Sequence, residues 1–254
     1  MSKPAQSRYA IIIPACDEEP CIAAVLEELA SVLDPERFIV AVGVNDTRDR
    51  TAEIARDLGA VVGETDARGY GRGCQEAIDE IGRRGIAVRG YIFFAADGAN
   101  DSRDIATLVA EHERGAAMVL GSRTMHRANW TSDNAHYLVA NRVFGALVGL
   151  LTGRSFSDLG PLRLIQRDLF HALHLSEWTY GWTIEAQIRA VLLGAKIVEV
   201  AVSERARIAG EQKVGRVSWQ RTLSIGVRIV AAGVRSRLAA RAPAAKAAEP
   251  VPAR

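Results

Sequence analysis

The chain has 254 residues, of which 48% are hydrophobic and 24% are charged, and its formal net charge is +2. This length suits one large α/β domain or two small ones, and the hydrophobic share is enough for a sizeable core. So small a net charge gives no signal of nucleic-acid binding, and we predict no such partner. An anionic ligand would have to be met by local basic clusters.

Cysteine usage and the first residues of the chain indicate the compartment. The three cysteines, Cys16, Cys21 and Cys74, fit no zinc-ligand spacing, and their odd number favours a reducing environment. Residues 1–8 form a short polar tail without the apolar centre of a signal peptide. The most apolar long stretch, 223–240, is interrupted by three arginines and does not predict a spanning helix. We therefore predict a cytoplasmic protein.

Apolar runs and helical spacings alternate along the first 120 residues. The predicted strands are 9–13, 38–44, 60–62, 91–94 and 118–120. The predicted helices are 22–33, 51–58, 73–84 and 101–113, the last with Asp101 as its N-cap. This alternation predicts an α/β fold with a mostly parallel sheet sandwiched by helices.

The second half of the chain is less regular. Its pattern predicts helices at 138–151 and 183–193 and a strand at 196–202. A basic amphipathic helix is predicted at 217–238, followed by a disordered Ala/Pro-rich tail at 239–254. The main domain is therefore predicted over residues 9–216.

Polar residues follow four of the predicted strands. They are Asp17, Glu18, Glu19, Asn45, Asp46, Asp49, Asp97, Asp101, Ser122 and Arg123. Any one of these loops alone is typical of a solvated turn. In a parallel sheet, however, ligands sit beyond the carboxyl ends of the strands, where all four loops meet. Carboxylates there can hold a divalent ion or contact a base and ribose, and Arg123 can bind an anionic group.

An ordered set of short motifs spans residues 9–215. The first five are IIIPACDEE at 11–19, VNDTRDRT at 44–51, GYGRG at 69–73, AADG at 95–98 and GSR at 121–123. The later ones are SDLGPLR at 157–163, YGWTIE at 180–185, EVAV at 199–202 and RIAGEQK at 207–213. The set resembles the family 2 glycosyltransferases, and its later members resemble their dolichol-phosphate mannose synthase branch.

The resemblance implies a single GT-A-type domain that transfers a sugar, with inversion, from a nucleoside-diphosphate sugar to a polyprenyl or other lipid phosphate. The implied catalytic residues are Asp97, Arg123, Asp158 and Glu185. The implied donor-binding residues are Pro14, Ala15, Asp17, Glu18, Asn45, Asp46, Gly69, Gly71, Ala96, Asp97 and Gly98. The implied acceptor-phosphate residues are Arg123, Arg207 and Lys213.

The metal-binding loop departs from the family pattern. Ala95 stands where the family's first Asp is expected, and Ala99 stands at a further ligand position. Only Asp97 is left to hold a metal. We therefore predict that Mg²⁺ or Mn²⁺ binds weakly, and only together with the donor, whose phosphates supply the other ligands.

Several alternatives stay open from the sequence. The acceptor can be a soluble small molecule; if it is a neutral hydroxyl, a base is needed, with Glu185 or Asp158 as candidates. The chain can also be a binding module that has lost catalysis, as Ala95 and Ala99 suggest. Trp182 is predicted either in the core or lining the acceptor site. The helix at 217–238 either touches the inner face of an anionic membrane peripherally or packs on the domain.

Overall fold

The computed structural model describes residues 8–131, 135–179 and 181–209, and residues 231 and 235; for residues 147 and 151 only the backbone is described. The predicted tail at 239–254 and Lys213 lie outside the described residues. The predicted helix at 217–238 lies outside them too, apart from residues 231 and 235.

Strands and helices alternate along the described chain. The strands are β1 (Arg8–Ala15), β2 (Phe38–Asn45), β3 (Val61–Thr65), β4 (Val88–Phe93), β5 (Met118–Ser122), β6 (Arg163–Gln166) and β7 (Ile197–Ala201). The helices are α1 (Glu19–Val32), α2 (Thr51–Asp57), α3 (Tyr70–Arg83), α4 (Asp104–Glu113), α5 (Ala135–Thr152), α6 (Arg167–Ala172) and α7 (Trp182–Leu192).

The strands form one seven-stranded sheet in the order β3-β2-β1-β4-β6-β5-β7. Strand β1 pairs in parallel with β2 and β4, β2 pairs in parallel with β3, and β5 with β7. Strand β6 is antiparallel to both β4 and β5. The predicted α/β fold, with a mostly parallel mixed sheet between helices, is confirmed.

Each face of the sheet carries its own hydrophobic cluster, because successive side chains of a strand point to opposite faces. Ile11 and Ile13 of β1 pack with buried residues of α1, α2 and α4. Ile12 packs on the other face with buried residues of α3 and α7, among them Trp182, which is fully buried. Of the two predicted places for Trp182, the core is the observed one.

Two features of the fold differ from the sequence-based predictions. Strand β6 and helix α6 were not predicted, because Arg163–Gln166 is too short and too polar at its ends to give an apolar run. The prediction that Asp101 is the N-cap of a helix at 101–113 is wrong. Helix α4 begins at Asp104, and the Asp101 carboxylate accepts a hydrogen bond from the Arg103 amide instead (3.0 Å). Asp readily forms such a local turn in competition with a helix.

None of the helices in the described ranges is long and apolar enough to cross a membrane.

Candidate active site

Asn45, the last residue of β2, connects three parts of the predicted donor site. Its side chain is buried; its Nδ2 donates to the carbonyl of Ala15 (3.0 Å) and its Oδ1 accepts from the amide of Gly69 (3.1 Å). The ends of β1 and β2 are thereby tied to the glycine-rich turn before α3. The structure therefore brings together Ala15, Asn45 and Gly69.

The glycine-rich turn allows α3 to approach the sheet closely. Gly69 has φ +149°, and a Cβ there would lie 2.3 Å from the carbonyl oxygen of Trp178. A Cβ at Gly71 would lie 2.5 Å from Cδ1 of Trp182. A Cβ at Gly73 would lie 2.7 Å from Nδ2 of Asn45. A side chain at Gly73 would push the first turn of α3 away from the end of β2, and side chains at Gly69 and Gly71 would push it away from Trp178 and Trp182.

The loops after β1 and β2 hold each other through carboxylate–amide hydrogen bonds. The Asp17 carboxylate accepts from the amide of Arg48 (2.8 Å), and the Asp49 carboxylate accepts from the amide of Glu19 (3.0 Å). Asp17 and Asp46 both have φ near +50°, a conformation that Asp tolerates better than most residues. The backbone of these loops is therefore held by acidic side chains, among them Asp17, which is predicted to bind the donor.

Arg207 lies between two of the predicted donor-site carboxylates. Its Nη1 is 3.2 Å from Oδ2 of Asp97, and its Nη2 is 2.6 Å from Oε2 of Glu18. Its Nε donates to the carbonyl of Ala209 (3.2 Å). The sequence-based assignment of Arg207 to the acceptor phosphate is untested, and its two carboxylate contacts are with residues that the sequence assigned to donor binding.

Residues 203–209, which we term the strap, cross the loop that follows β4. The Arg205 amide donates to the Ala99 carbonyl (2.8 Å), and the Ile208 amide donates to the Asp97 carbonyl (3.1 Å). The Ile208 side chain lies against Gly98, where a Cβ would come within 2.4 Å of it. These main-chain bonds fix where the Arg207 side chain begins.

Arg123 is buried, and its guanidinium is occupied by protein groups. It forms two hydrogen bonds to the Asp158 carboxylate (Nε–Oδ2 2.8 Å, Nη2–Oδ1 2.9 Å), and its Nη1 donates to Tyr137 and Glu204. Burial disfavours the charge, but the Asp158 hydrogen bond and the negative groups around it hold the pKa of Arg123 above its ordinary value. These contacts are typical of a positioning residue rather than of an open phosphate ligand.

Neither candidate base has a free carboxylate. Asp158 is buried and accepts from the side chain and the amide of Arg123 and from the amide of Leu159. Glu185, on α7, accepts from the amides of Ser176 (2.9 Å) and Glu177 (2.7 Å) and from Nε of Arg189 (3.0 Å). Glu185 thus orders the 176–179 turn, whose Trp178 carbonyl accepts from the Gly71 amide.

Two charged residues that the sequence analysis did not single out take part in the hydrogen bonds around Arg123 and the segments that follow β5 and precede β6. Glu204 connects Arg123 to the strap, and its amide donates to the side chain of Asn129 (3.0 Å). Arg163 is fully buried, where its guanidinium donates to the carbonyls of Gly160 and Thr183, and burial lowers the pKa of Arg163. In the sequence, Arg163 appeared only as the last residue of the motif at 157–163, and no motif or spacing pointed to Glu204.

The described residues around Asp97 do not form a set of ligands for a divalent ion. In the described residues, no group of three His, Cys, Asp or Glu side chains could hold a metal ion. Oδ1 of Asp97 accepts from the Ala99 amide (3.0 Å), and Oδ2 faces Arg207. The sequence-based prediction of a metal that binds only with the donor is therefore untested.

Comparisons with known proteins identify the family. A family model described as "Glycosyl transferase family 2" matches residues 10–173. The chain belongs to this family. It is therefore a glycosyltransferase of an inverting, nucleotide-sugar-dependent family, as the ordered motifs predicted.

This glycosyltransferase is similar, among others, to two hexose transferases in sequence and to a glucosyltransferase structure in fold. A dolichyl-phosphate hexose transferase of Haloferax volcanii is 29% identical over 81% of this chain and 86% of its own length. A low-salt glycan biosynthesis hexosyltransferase of the same organism is 27% identical over 75% of this chain and 45% of its own length. Glucosyl-3-phosphoglycerate synthase of Mycobacterium tuberculosis, crystallised with Mg²⁺ and UDP, has a TM-score of 0.66 at 18% identity, covering 91% of this chain and 80% of that one.

Proposed function

We propose that this glycosyltransferase moves a sugar from a nucleoside-diphosphate sugar to a polyprenyl or other lipid phosphate, with inversion. The observation that carries the proposal is that both candidate bases, Asp158 and Glu185, are buried and held in hydrogen bonds. A hydroxyl acceptor needs a base, whereas a phosphate oxygen is already ionised and needs none. The relative described as a dolichyl-phosphate hexose transferase supports the same acceptor class.

The proposed step balances without a proton transfer. An acceptor phosphate oxygen forms a bond to the anomeric carbon of the sugar, and the bond from that carbon to the donor's diphosphate oxygen breaks. The electron pair stays on the departing nucleoside diphosphate, whose added charge must be neutralised. Asn45, Asp46 and Asp17 are proposed to hold the nucleoside, and Lys213 the acceptor phosphate.

We propose that a divalent ion contributes little to donor binding. Glucosyl-3-phosphoglycerate synthase has been crystallised with Mn²⁺ and UDP-glucose, and with Mg²⁺ and UDP. In this chain Asp97 alone remains of the expected carboxylates, so we propose that no ion binds before the donor does. Mg²⁺ needs few protein ligands when phosphates and waters supply the rest.

A donor screen followed by an acceptor comparison tests the function. UDP-, GDP- and dTDP-sugars are screened by thermal shift; a ligand present at 100 times its Kd stabilises the folded state by about 2.7 kcal/mol. Transfer of the labelled sugar is then measured to a polyprenyl phosphate in detergent and to 3-phosphoglycerate. Transfer to the lipid phosphate is expected. Transfer to phosphoglycerate alone would contradict the lipid-phosphate acceptor and indicate a soluble phosphorylated acceptor, such as the phosphoglyceric acid in the structure of glucosyl-3-phosphoglycerate synthase. Donor binding without any turnover would indicate a binding module.

Membrane contact is proposed to be peripheral and electrostatic, through the basic stretch at 217–238. Co-sedimentation with vesicles containing an anionic lipid, at low and high salt, measures it. Binding that salt abolishes is expected, and no binding at low salt would favour a stretch that packs on the domain.

A further inference from the structure

The position of Arg207 puts a guanidinium between two carboxylates of the proposed donor site. The guanidinium bridges Asp97 and Glu18, which lie in the loops after β4 and β1. The Arg207 side chain is only 14% exposed, so water screens this charge weakly.

Two of the positions at which the family pattern has metal ligands lack a carboxylate at the same place. Positions 95 and 99, where the family pattern has metal ligands, carry alanine. The amide of Ala95 donates to the side chain of Asn100 (3.0 Å), so this part of the loop is held by an amide side chain. The one remaining carboxylate, Asp97, already has a cation beside it in Arg207.

The strap fixes this cation from both sides. Main-chain hydrogen bonds tie Arg205 and Ile208 to the Asp97–Ala99 loop, and Nη2 of Arg205 is 2.8 Å from both carboxylate oxygens of Glu28 on α1. Toward β5, Glu204 bonds Arg123 (3.0 Å), which is itself held by Asp158. A side chain anchored in this way loses little freedom on meeting a ligand, and such preorganisation raises affinity.

From this placement we propose that Arg207 does the work of a divalent ion in this transferase: it binds the diphosphate of the donor and neutralises the charge that develops on the leaving group. The proposal rests on the proposed function, since it concerns the same donor. Of the five N–H groups of a guanidinium, three in Arg207 have acceptors among the described residues, and a diphosphate offers acceptors to the rest. As the bond from the sugar to the diphosphate breaks, these charge-assisted hydrogen bonds strengthen. Donor binding then requires no divalent ion.

Calorimetric titration of the full chain with UDP and with GDP, in EDTA and in Mn²⁺, tests the proposal without any turnover assay. For the wild type, the Kd of the preferred nucleotide is expected to agree between the two conditions within about threefold. Arg207→Gln is expected to weaken binding in EDTA by about tenfold or more, the size of losing a charge-assisted hydrogen bond. Arg207→Lys, which keeps the charge, should lose less.

A control variant and a double variant make the test more specific. Arg103→Gln removes the same charge from an exposed side chain in the same loop region and should leave the Kd unchanged. The double variant Ala95→Asp/Arg207→Gln restores a second carboxylate in place of the guanidinium; it should bind nucleotide in Mn²⁺ and lose that binding in EDTA.

Two results would overturn the proposal. The first is binding of UDP or GDP to the wild type only in the presence of Mn²⁺. This measurement uses no variant, so it tests the proposal even if Arg207→Gln fails to fold. The second is a folded Arg207→Gln variant with wild-type affinity in EDTA. A wild type that binds no nucleoside diphosphate in either condition would instead contradict the proposed function itself.

Discussion

The guanidinium of Arg123 faces the carboxylate of Asp158 through two parallel hydrogen bonds, 2.8 and 2.9 Å long, with both side chains at most 5% exposed. The same Asp158 carboxylate also accepts from the Arg123 amide (2.8 Å). The pair joins the end of β5 to the segment before β6 and, through Glu204, to the strap. Its integrity therefore affects both folding and the position of Arg207.

Asp158→Asn removes the counter-charge that holds the buried Arg123 by two hydrogen bonds and leaves it only the more exposed carboxylate of Glu204 among the described residues. We expect a loss of about 3–5 kcal/mol in the free energy of unfolding, the usual result of breaking a buried ion pair on one side. Guanidinium denaturation measures it. Asp168→Asn, an exposed carboxylate 4.0 Å from Arg167, is the control and should cost less than about 1 kcal/mol. Equal costs at the two sites would contradict the structural role of the buried pair.

Gly43→Ala tests the close contact of β2 with α3. A Cβ at Gly43 would lie 1.8 Å from the carbonyl oxygen of Gly73, a backbone atom that cannot rotate away. We expect a loss of about 1–3 kcal/mol from overpacking, together with weaker nucleotide binding as α3 moves. Gly82→Ala, at an exposed position near the end of the same helix, has open space around its Cβ and should gain up to about 1 kcal/mol. Denaturant unfolding of both variants gives the comparison.

Glu185→Gln distinguishes a structural carboxylate from a general base. The variant loses charge-assisted hydrogen bonds from Ser176, Glu177 and Arg189, so we expect a lower Tm and a displaced 176–179 turn. The pH dependence of kcat should keep the acidic limb of the wild type. A variant with an unchanged Tm whose kcat no longer shows that limb would identify Glu185 as the base after all.

Thiol labelling reports on the loop after β1. Cys16 is partly exposed and its Sγ lies 3.6 Å from the Asp46 carbonyl, whereas Cys21 and Cys74 are buried. Burial also raises the pKa of Cys74, which removes the reactive thiolate. We expect native protein to be alkylated first at Cys16, more slowly when UDP or GDP is bound. Cys16→Ser, the control, should leave no fast-reacting thiol; protection by nucleotide at Cys74 instead would place the donor elsewhere.

Titration of the free protein with Mn²⁺ and Mg²⁺ tests the incomplete metal loop. We expect no measurable heat, because Asp97 is the one carboxylate left at the family's positions and it already pairs with Arg207. Asp97→Ala should reduce transfer by about 100-fold or more, since the Arg207 guanidinium, which is proposed to bind the diphosphate, loses a carboxylate that positions it. Ala95→Asp should make transfer more dependent on the ion. Micromolar Mn²⁺ affinity without donor, or full activity in Asp97→Ala, would refute this account.

The sequence alone determined the alternation of elements, and it predicted the sheet edge at which the candidate site residues are expected. The apolar runs of β1, β2 and β5 and the helical spacing of α1 and α3 are local properties, and each was visible in a short window. The polar residues at the strand ends needed only the rule that parallel strands end at one edge. Their order along the chain then gave the family.

The tertiary structure decided how the charges pair. Arg207 and Glu18 are 189 positions apart, and Arg123 and Asp158 are 35 apart, so no periodicity connects them. Likewise β6 enters the sheet antiparallel between β4 and β5, where hydrogen bonds from both neighbours hold a strand whose own sequence is barely apolar. An arginine takes whichever acceptors folding places beside it, because its charge must be neutralised once it is buried. The sequence therefore named Arg123, Asp158 and Arg207, but only the folded chain shows which carboxylate each arginine holds.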